Sequence, residues 1–169
     1  MAVWLREIFA RFLDEDRWLI VPHSGKSDLE RSIPRKLRQR RTPGDRFLIL
    51  RDNHGADCAM SKEKLRSLCE AAGRSDTIVR IVCQELESWH LGDLHAVGEA
   101  FGISGLSELA TKAIYRDPDR LVNAQEELKK LVPPYQKVSG SRAIGRFLDP
   151  DRNRSHSFRI FWTSITSVM

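Results

Sequence analysis

The chain has 169 residues, 41% of them hydrophobic and 30% charged, the balance of one folded globular domain and not of a disordered or fibrous chain. No apolar run approaches the ~20 residues of a bilayer-spanning helix, and the opening Met1-Ala-Val-Trp-Leu-Arg-Glu7 lacks the regions of a signal peptide, so the expected location is the cytoplasm. The net charge of +5 is modest but unevenly placed.

Trp4, Ile8 and Phe12, with Leu5 and Phe9, recur at i, i+4 and predict an amphipathic opening helix. Trp18-Leu-Ile-Val-Pro22 reads as a short buried strand ended by proline. Ser27 and Glu30 have capping-box spacing and open a helix expected to run through Leu37, kinked or split at Pro34. Phe47-Leu-Ile-Leu50 is a second strand running into Arg51-Asp52-Asn53-His54-Gly55. Ser61 is the expected cap of a helix with Leu65, Leu68, Cys69 and Ala72 on one face, stopped at Gly73. Thr77-Ile-Val-Arg-Ile-Val82 is a third strand, β-branched except at Arg80, leading into Gln84-Glu-Leu-Glu-Ser-Trp89.

Beyond Asp93 the pattern is helix and loop. Asp93 caps a helix to Phe101, Asn123 and Glu126 form a second capping box, Ser139-Gly140-Ser141 reads as a flexible turn, and Phe158 to Val168 is an apolar helix. The expected fold is α/β, a small, mainly parallel sheet with flanking helices and a helical C-terminal half. It forms one domain over 1–169, with the sheet in 1–92 and a helical extension over 93–169. Because the chain opens on a helix, the order looks like a βα repeat whose first strand is missing.

In an open parallel sheet, functional groups gather at the carboxyl ends of the strands. The first end offers His23-Ser24-Gly25-Lys26-Ser27, like the tail of a phosphate-binding loop, but Ile20 stands where that motif needs its first glycine. What remains is a helix N-terminus with Lys26, able to bind phosphate or serve as an ordinary turn. The second end offers Asp52, His54 and Asp57, the third Glu85 and Glu87. Carboxylates there add nothing to a core, whereas hard cations such as Mg²⁺ take oxygen ligands from a few carboxylates and keep several waters. The competing reading makes Glu87 a first-turn helix acid and Asp52 a turn residue.

Seven basic residues, Arg31, Arg35, Lys36, Arg38, Arg40, Arg41 and Arg46, face only Asp45 in their stretch. Such a block attracts phosphate or is simply a solvated face. Cys58, Cys69 and Cys83 are an odd number without a CxxC pair and read as small hydrophobes, although His54 and Cys58 have a ligand-like spacing.

Gly25-Lys-Ser-Asp-Leu29, Leu50-Arg-Asp-Asn-His-Gly-Ala-Asp-Cys58, Val79-Arg-Ile-Val-Cys-Gln-Glu-Leu-Glu-Ser-Trp89 and Asn153-Arg-Ser-His-Ser-Phe158 together resemble a bacterial family of unknown function. It includes the RloG-type proteins and is similar to a divergent TOPRIM domain. The resemblance implies a TOPRIM-like sheet and a Mg²⁺-dependent nuclease of a defence or restriction-associated locus, acting on nucleic acid beside a partner ATPase. With the strand-end acids and the basic block read in that light, Asp52 and Glu85 are expected to hold the ion, Glu87 to orient water, and Lys26 with Arg35, Arg38 and Arg41 to grip the backbone. TOPRIM domains use a glutamate after the first strand and an Asp-x-Asp later. Asp52 matches the first aspartate, His54 occupies the place of the second, and the glutamate's strand would precede Met1. The rival expectation is therefore a relative that binds nucleic acid or a protein without catalysis.

Overall fold

The computed structural model describes residues 1–40 and 42–168. Its sheet has two parallel strands, β1 (Leu48–Asp52) and β2 (Ile78–Val82), in a register that sets Leu48 opposite Ile78 and Asp52 opposite Val82. Ile49, Val79 and Ile81 alternate onto one face, against Ile33 and Leu37 of α2 (Lys26–Gln39) and Leu65 and Cys69 of α3 (Cys58–Glu70). On the other face Leu48, Leu50 and Val82 join a larger core. It is built from α1 (Ala2–Phe12), α4 (Leu86–Leu91), α5 (Leu94–Phe101), α7 (Ala124–Leu131), α8 (Lys137–Gly145) and α9 (His156–Thr166), with the short α6 (Ala113–Arg116) contributing Tyr115. The two-residue period of a strand thus divides the molecule into a small α2/α3 layer and a large helical layer.

The first helix forms as its spacing predicts, burying Trp4, Leu5, Ile8 and Phe9. Trp4 lies 5.6 Å centroid to centroid from Trp89, and Phe9 lies 5.3 Å from Trp18 and 6.4 Å from Phe161. Such aromatic pairs add about 0.5–1.5 kcal/mol each beyond their buried area. Asp93 caps α5 as expected, its carboxylate accepting from Ala96 N–H at 3.1 Å. The same carboxylate takes a fork from Arg152 at 2.7 and 2.9 Å, tying α5 to the segment before α9.

Several sequence expectations need correction. Trp18–Pro22 is not a strand among the described residues, so the sheet has two strands and not three. Leu19 and Val21 are 66% and 47% exposed, and Pro22 has no N–H to give a ladder; the apolar run has only Trp18 and Ile20 packed on the core. Gly25, at φ 101°, is the N-cap of α2 in place of Ser27, and Pro34 sits inside a helix that continues to Gln39. Asp57 caps α3, accepting from Met60 N–H at 2.9 Å, and Ser61 lies within the helix. Asn123 precedes α7 in the left-handed region and makes no side-chain cap bond. Ser139-Gly140-Ser141 is no hinge; it lies within α8, where Gly140 and Ser141 are buried.

Candidate functional site

The parallel register brings the carboxyl ends of β1 and β2 to one edge. Pairing continues past the strands, with Asn53 N–H donating to Val82 O at 3.1 Å and His54 N–H to Gln84 O at 2.7 Å. His54 (φ 49°) and Gln84 (φ 69°) both adopt the left-handed region, facing one another across the two turns. Non-glycine residues there cost about 1 kcal/mol or more each, and such positions cluster at functional sites. Asn53 fixes the first turn, accepting from Ser61 Oγ at 3.0 Å and donating to Ala56 O and to Cys58 Sγ.

Asp52 is in step with Leu48 and Leu50 and faces the large helical layer, whereas neighbouring Arg51 faces α2 and α3 and pairs with Glu30 at 3.0 Å. Its Oδ1 is sealed from solvent without a hydrogen-bond partner. Burial pushes its pKa up from 3.8 to about 6; His54 opposes that shift and Glu87 adds to it. Glu87, wholly buried in α4, accepts from Tyr135 OH at 3.0 Å through Oε1, while Oε2 has no hydrogen bond and lies 3.9 Å from Lys137 Nζ. Glu85 is the N-cap residue of α4; Oε2 accepts from Gln125 N–H at 3.0 Å and Oε1 lies 4.0 Å from His54 Nδ1. Hence Glu85 serves the start of α7, while Glu87 is the acid whose charge Asp52 feels.

Sequence reasoning missed the residues around Glu87. Tyr135 OH also meets Ser141 Oγ at 3.0 Å, and burial with the Glu87 charge raises its pKa. The tyrosine ring lies against Gly140, where a Cβ would stand 2.5 Å from Tyr135 Cδ2. His90, one turn after Glu87, is fully buried with neither ring nitrogen hydrogen-bonded, and burial pushes its pKa down to about 3, so its ring stays neutral. The signal was there in His90 within α4 and in a Tyr135-Gln-Lys137 triplet at the start of α8. The meeting of Tyr135 with Glu87, 48 residues away, was not.

The basic residues divide. Arg38 donates to Ala71 O at 2.9 Å and Glu30 bridges to Lys64 at 2.7 Å, so α2 and α3 run side by side in the same direction. Cys58 begins α3 just after β1, so Lys26 at the start of α2 stands at the acid edge. Arg38 stands about 18 Å further along the helix axis, at the opposite edge. There Arg38, Arg40 and Arg74 line a shallow depression, with Arg40 near Asp45 and Arg74 paired to Asp76 at 2.8 Å. Arg35 is exposed on α2 between them, and Arg41 lies outside the described residues. The N-terminus of α2 already has an acid of its own, Asp28, which accepts from Ser24 N–H at 2.9 Å and is held below the usual carboxylate range chiefly by that bond.

A family model described as a domain of unknown function, DUF4276, matches residues 2–166. The chain belongs to that family. No curated protein and no solved structure matches this DUF4276 chain. The match spans every element of the sheet and of the helical layer, from α1 through α9. No helix among its described residues is long and apolar enough to cross a membrane.

The oxygens left over at the edge fit a hard cation: Asp52 Oδ1 and Glu87 Oε2 are buried carboxylate oxygens without hydrogen bonds. Among the described residues no three His, Cys, Asp or Glu side chains group closely enough to hold an ion by themselves. A Mg²⁺ site of one or two carboxylates completed by waters and a substrate phosphate is compatible with both facts.

Proposed function

We propose that this chain is a TOPRIM-like, Mg²⁺-dependent nucleic-acid-processing protein, the nuclease component of a defence or restriction-associated locus, working in the cytoplasm beside a partner ATPase. The observation that supports it most is the pair of buried carboxylates, Asp52 and Glu87, each with an oxygen lacking a hydrogen bond. Keeping two such acids charged in a buried setting is costly, and Lys137, 3.9 Å from Glu87, offsets only part of that charge. A divalent ion would remove that cost, and when bound it would activate water and offset charge on a phosphodiester.

In this reading Asp52 and Glu87 supply the direct ligands. Tyr135 holds Oε1 of Glu87, which leaves Oε2 as the oxygen that would serve the ion. Glu85, the third carboxylate, is 23% exposed and would supply a further oxygen for the ion or for orienting water. Lys137, 45% exposed and near Glu87, and Lys26 at the same edge attract the phosphate, and Arg35 and Arg38 extend the cationic track along α2. The defence locus and the ATPase rest on the family resemblance of the sequence.

The test is calorimetric and thermal titration of the chain with Mg²⁺ and Mn²⁺, alongside cleavage of labelled single- and double-stranded DNA and RNA. Binding that disappears in Asp52→Asn and in Glu87→Gln, with metal-dependent cleavage, is the expected result. No metal effect on the parent chain would overturn it. A second reading, a binding module without catalysis, is favoured by the absence of a three-residue ligand group among the described residues and by His54 in place of an aspartate. It predicts nucleic-acid or protein binding without cleavage, with or without the ion.

A further inference from the structure

Cys58 and Cys83 are distant in sequence, by 25 residues, and adjacent in space, their sulfurs 3.3 Å apart. Cys58 is the first residue of α3 and Cys83 directly follows β2, so the pair joins the two turns that leave the sheet beside Asp52 and Glu85. Both are free thiols and partly exposed, whereas Cys69 is 1% exposed in the α2/α3 core. Each is held from its own side: Asn53 Nδ2 donates to Cys58 Sγ at 3.2 Å, and Cys83 N–H approaches Ser157 Oγ at 3.5 Å. A disulfide needs an S–S separation of about 2.05 Å, so the sulfurs have to close by about 1.3 Å.

We infer that Cys58 and Cys83 are a dithiol site that a peroxide converts to an intramolecular disulfide, stitching the β1–α3 turn to the β2–α4 turn. The chemistry balances with hydrogen peroxide as oxidant. The Cys58 sulfur attacks one peroxide oxygen, the O–O bond breaks, and hydroxide leaves with the other oxygen, giving a sulfenic acid. The Cys83 sulfur then attacks that sulfur and expels water. Two thiols lose two hydrogens and two electrons, and one peroxide becomes two waters. With the sulfurs 3.3 Å apart, Cys58 and Cys83 can exchange the attacking and resolving roles, and the product is the same. None of this depends on a metal or a nuclease activity at the acid edge.

The experiment treats the full chain with hydrogen peroxide and reads intact mass and non-reducing peptide maps. The expected product is monomeric, lighter by two hydrogens, with one Cys58–Cys83 cross-linked peptide and Cys69 still a thiol. Dithiothreitol reverses it, and Cys69→Ser still forms it. Cys58→Ser and Cys83→Ser do not. Addition of two or three oxygens at either cysteine without a cross-link, a bridge through Cys69, or a covalent dimer would overturn the proposal. The parent chain alone decides between these outcomes, so a serine variant that fails to fold does not rescue it. The oxidised chain should also melt at a higher temperature than the reduced one, and an unchanged midpoint would remove the claim that the bond stitches the two turns.

Discussion

Neutralising Asp52 should stabilise the protein at neutral pH, the reverse of what removal of a surface carboxylate does. A rise in pKa from 3.8 to about 6 means that the folded chain holds this proton more tightly than the unfolded chain. The associated stability is full below pH 3.8 and is lost as pH climbs through about 6. At about 1.4 kcal/mol per tenfold change, the ceiling is roughly 3 kcal/mol. The side-chain amide of the Asp52→Asn variant carries no charge at any pH, so the two proteins should be nearly equal in stability at about pH 4. The variant should lead by up to about 3 kcal/mol at about pH 8. Urea unfolding of both proteins across that range isolates Asp52, because the other acids cancel in the difference. Adding Mg²⁺ at the alkaline end should close the gap by stabilising the parent alone. A difference that does not vary with pH would refute the reasoning, and so would a variant less stable than the parent at about pH 8.

Tyr135→Phe leaves Glu87 buried without its hydroxyl partner and should cost about 1–3 kcal/mol by chemical unfolding, weakening any Mg²⁺ titration at the same time. Gly140→Ala drives a Cβ into the Tyr135 ring and should cost a similar amount, about 1–3 kcal/mol, measured in the same way. Asp93→Ala removes the α5 cap and strands the Arg152 fork, so a loss of roughly 3 kcal/mol is expected in thermal or urea melts. If the chain binds nucleic acid along α2, Arg35→Ala should flatten the slope of log affinity against log salt by about 0.7–0.9, read by fluorescence anisotropy at several salt concentrations.

The sequence revealed what is local and periodic. The i, i+4 aromatics of α1, the alternating strand faces of β2 and the Asp93 cap all follow from neighbours within a few residues. Trp18–Pro22 misled because hydrophobicity marks burial, not pairing, and only two of its side chains found the core. The acid edge was legible as far as Asp52 and Glu85, which follow directly from strand ends. Glu87 owes its setting to Tyr135, 48 residues away, and to a glycine notch within α8 that reads as a hinge when seen in sequence alone. Side-chain burial and hydroxyl partners of that kind are set by tertiary packing, on which residue spacing is silent.

The arrangement of the two cores also has a consequence during synthesis. The smaller one draws on residues from Leu29 to Ile81, so it can close soon after those residues leave the ribosome. The first helix cannot. Its partners Ile144, Leu148 and Phe161 arrive last, and Arg11, whose guanidinium donates to Leu148 O at 2.7 Å, waits for a residue 137 positions downstream. Until those segments are made, Phe9 has Trp18 and Trp4 has Trp89 as aromatic partners, and the rest of the stripe lacks its cover. Because the larger core includes Val82 and Leu86 beside the acid edge, the packing behind that edge is complete only once α8 and α9 are present.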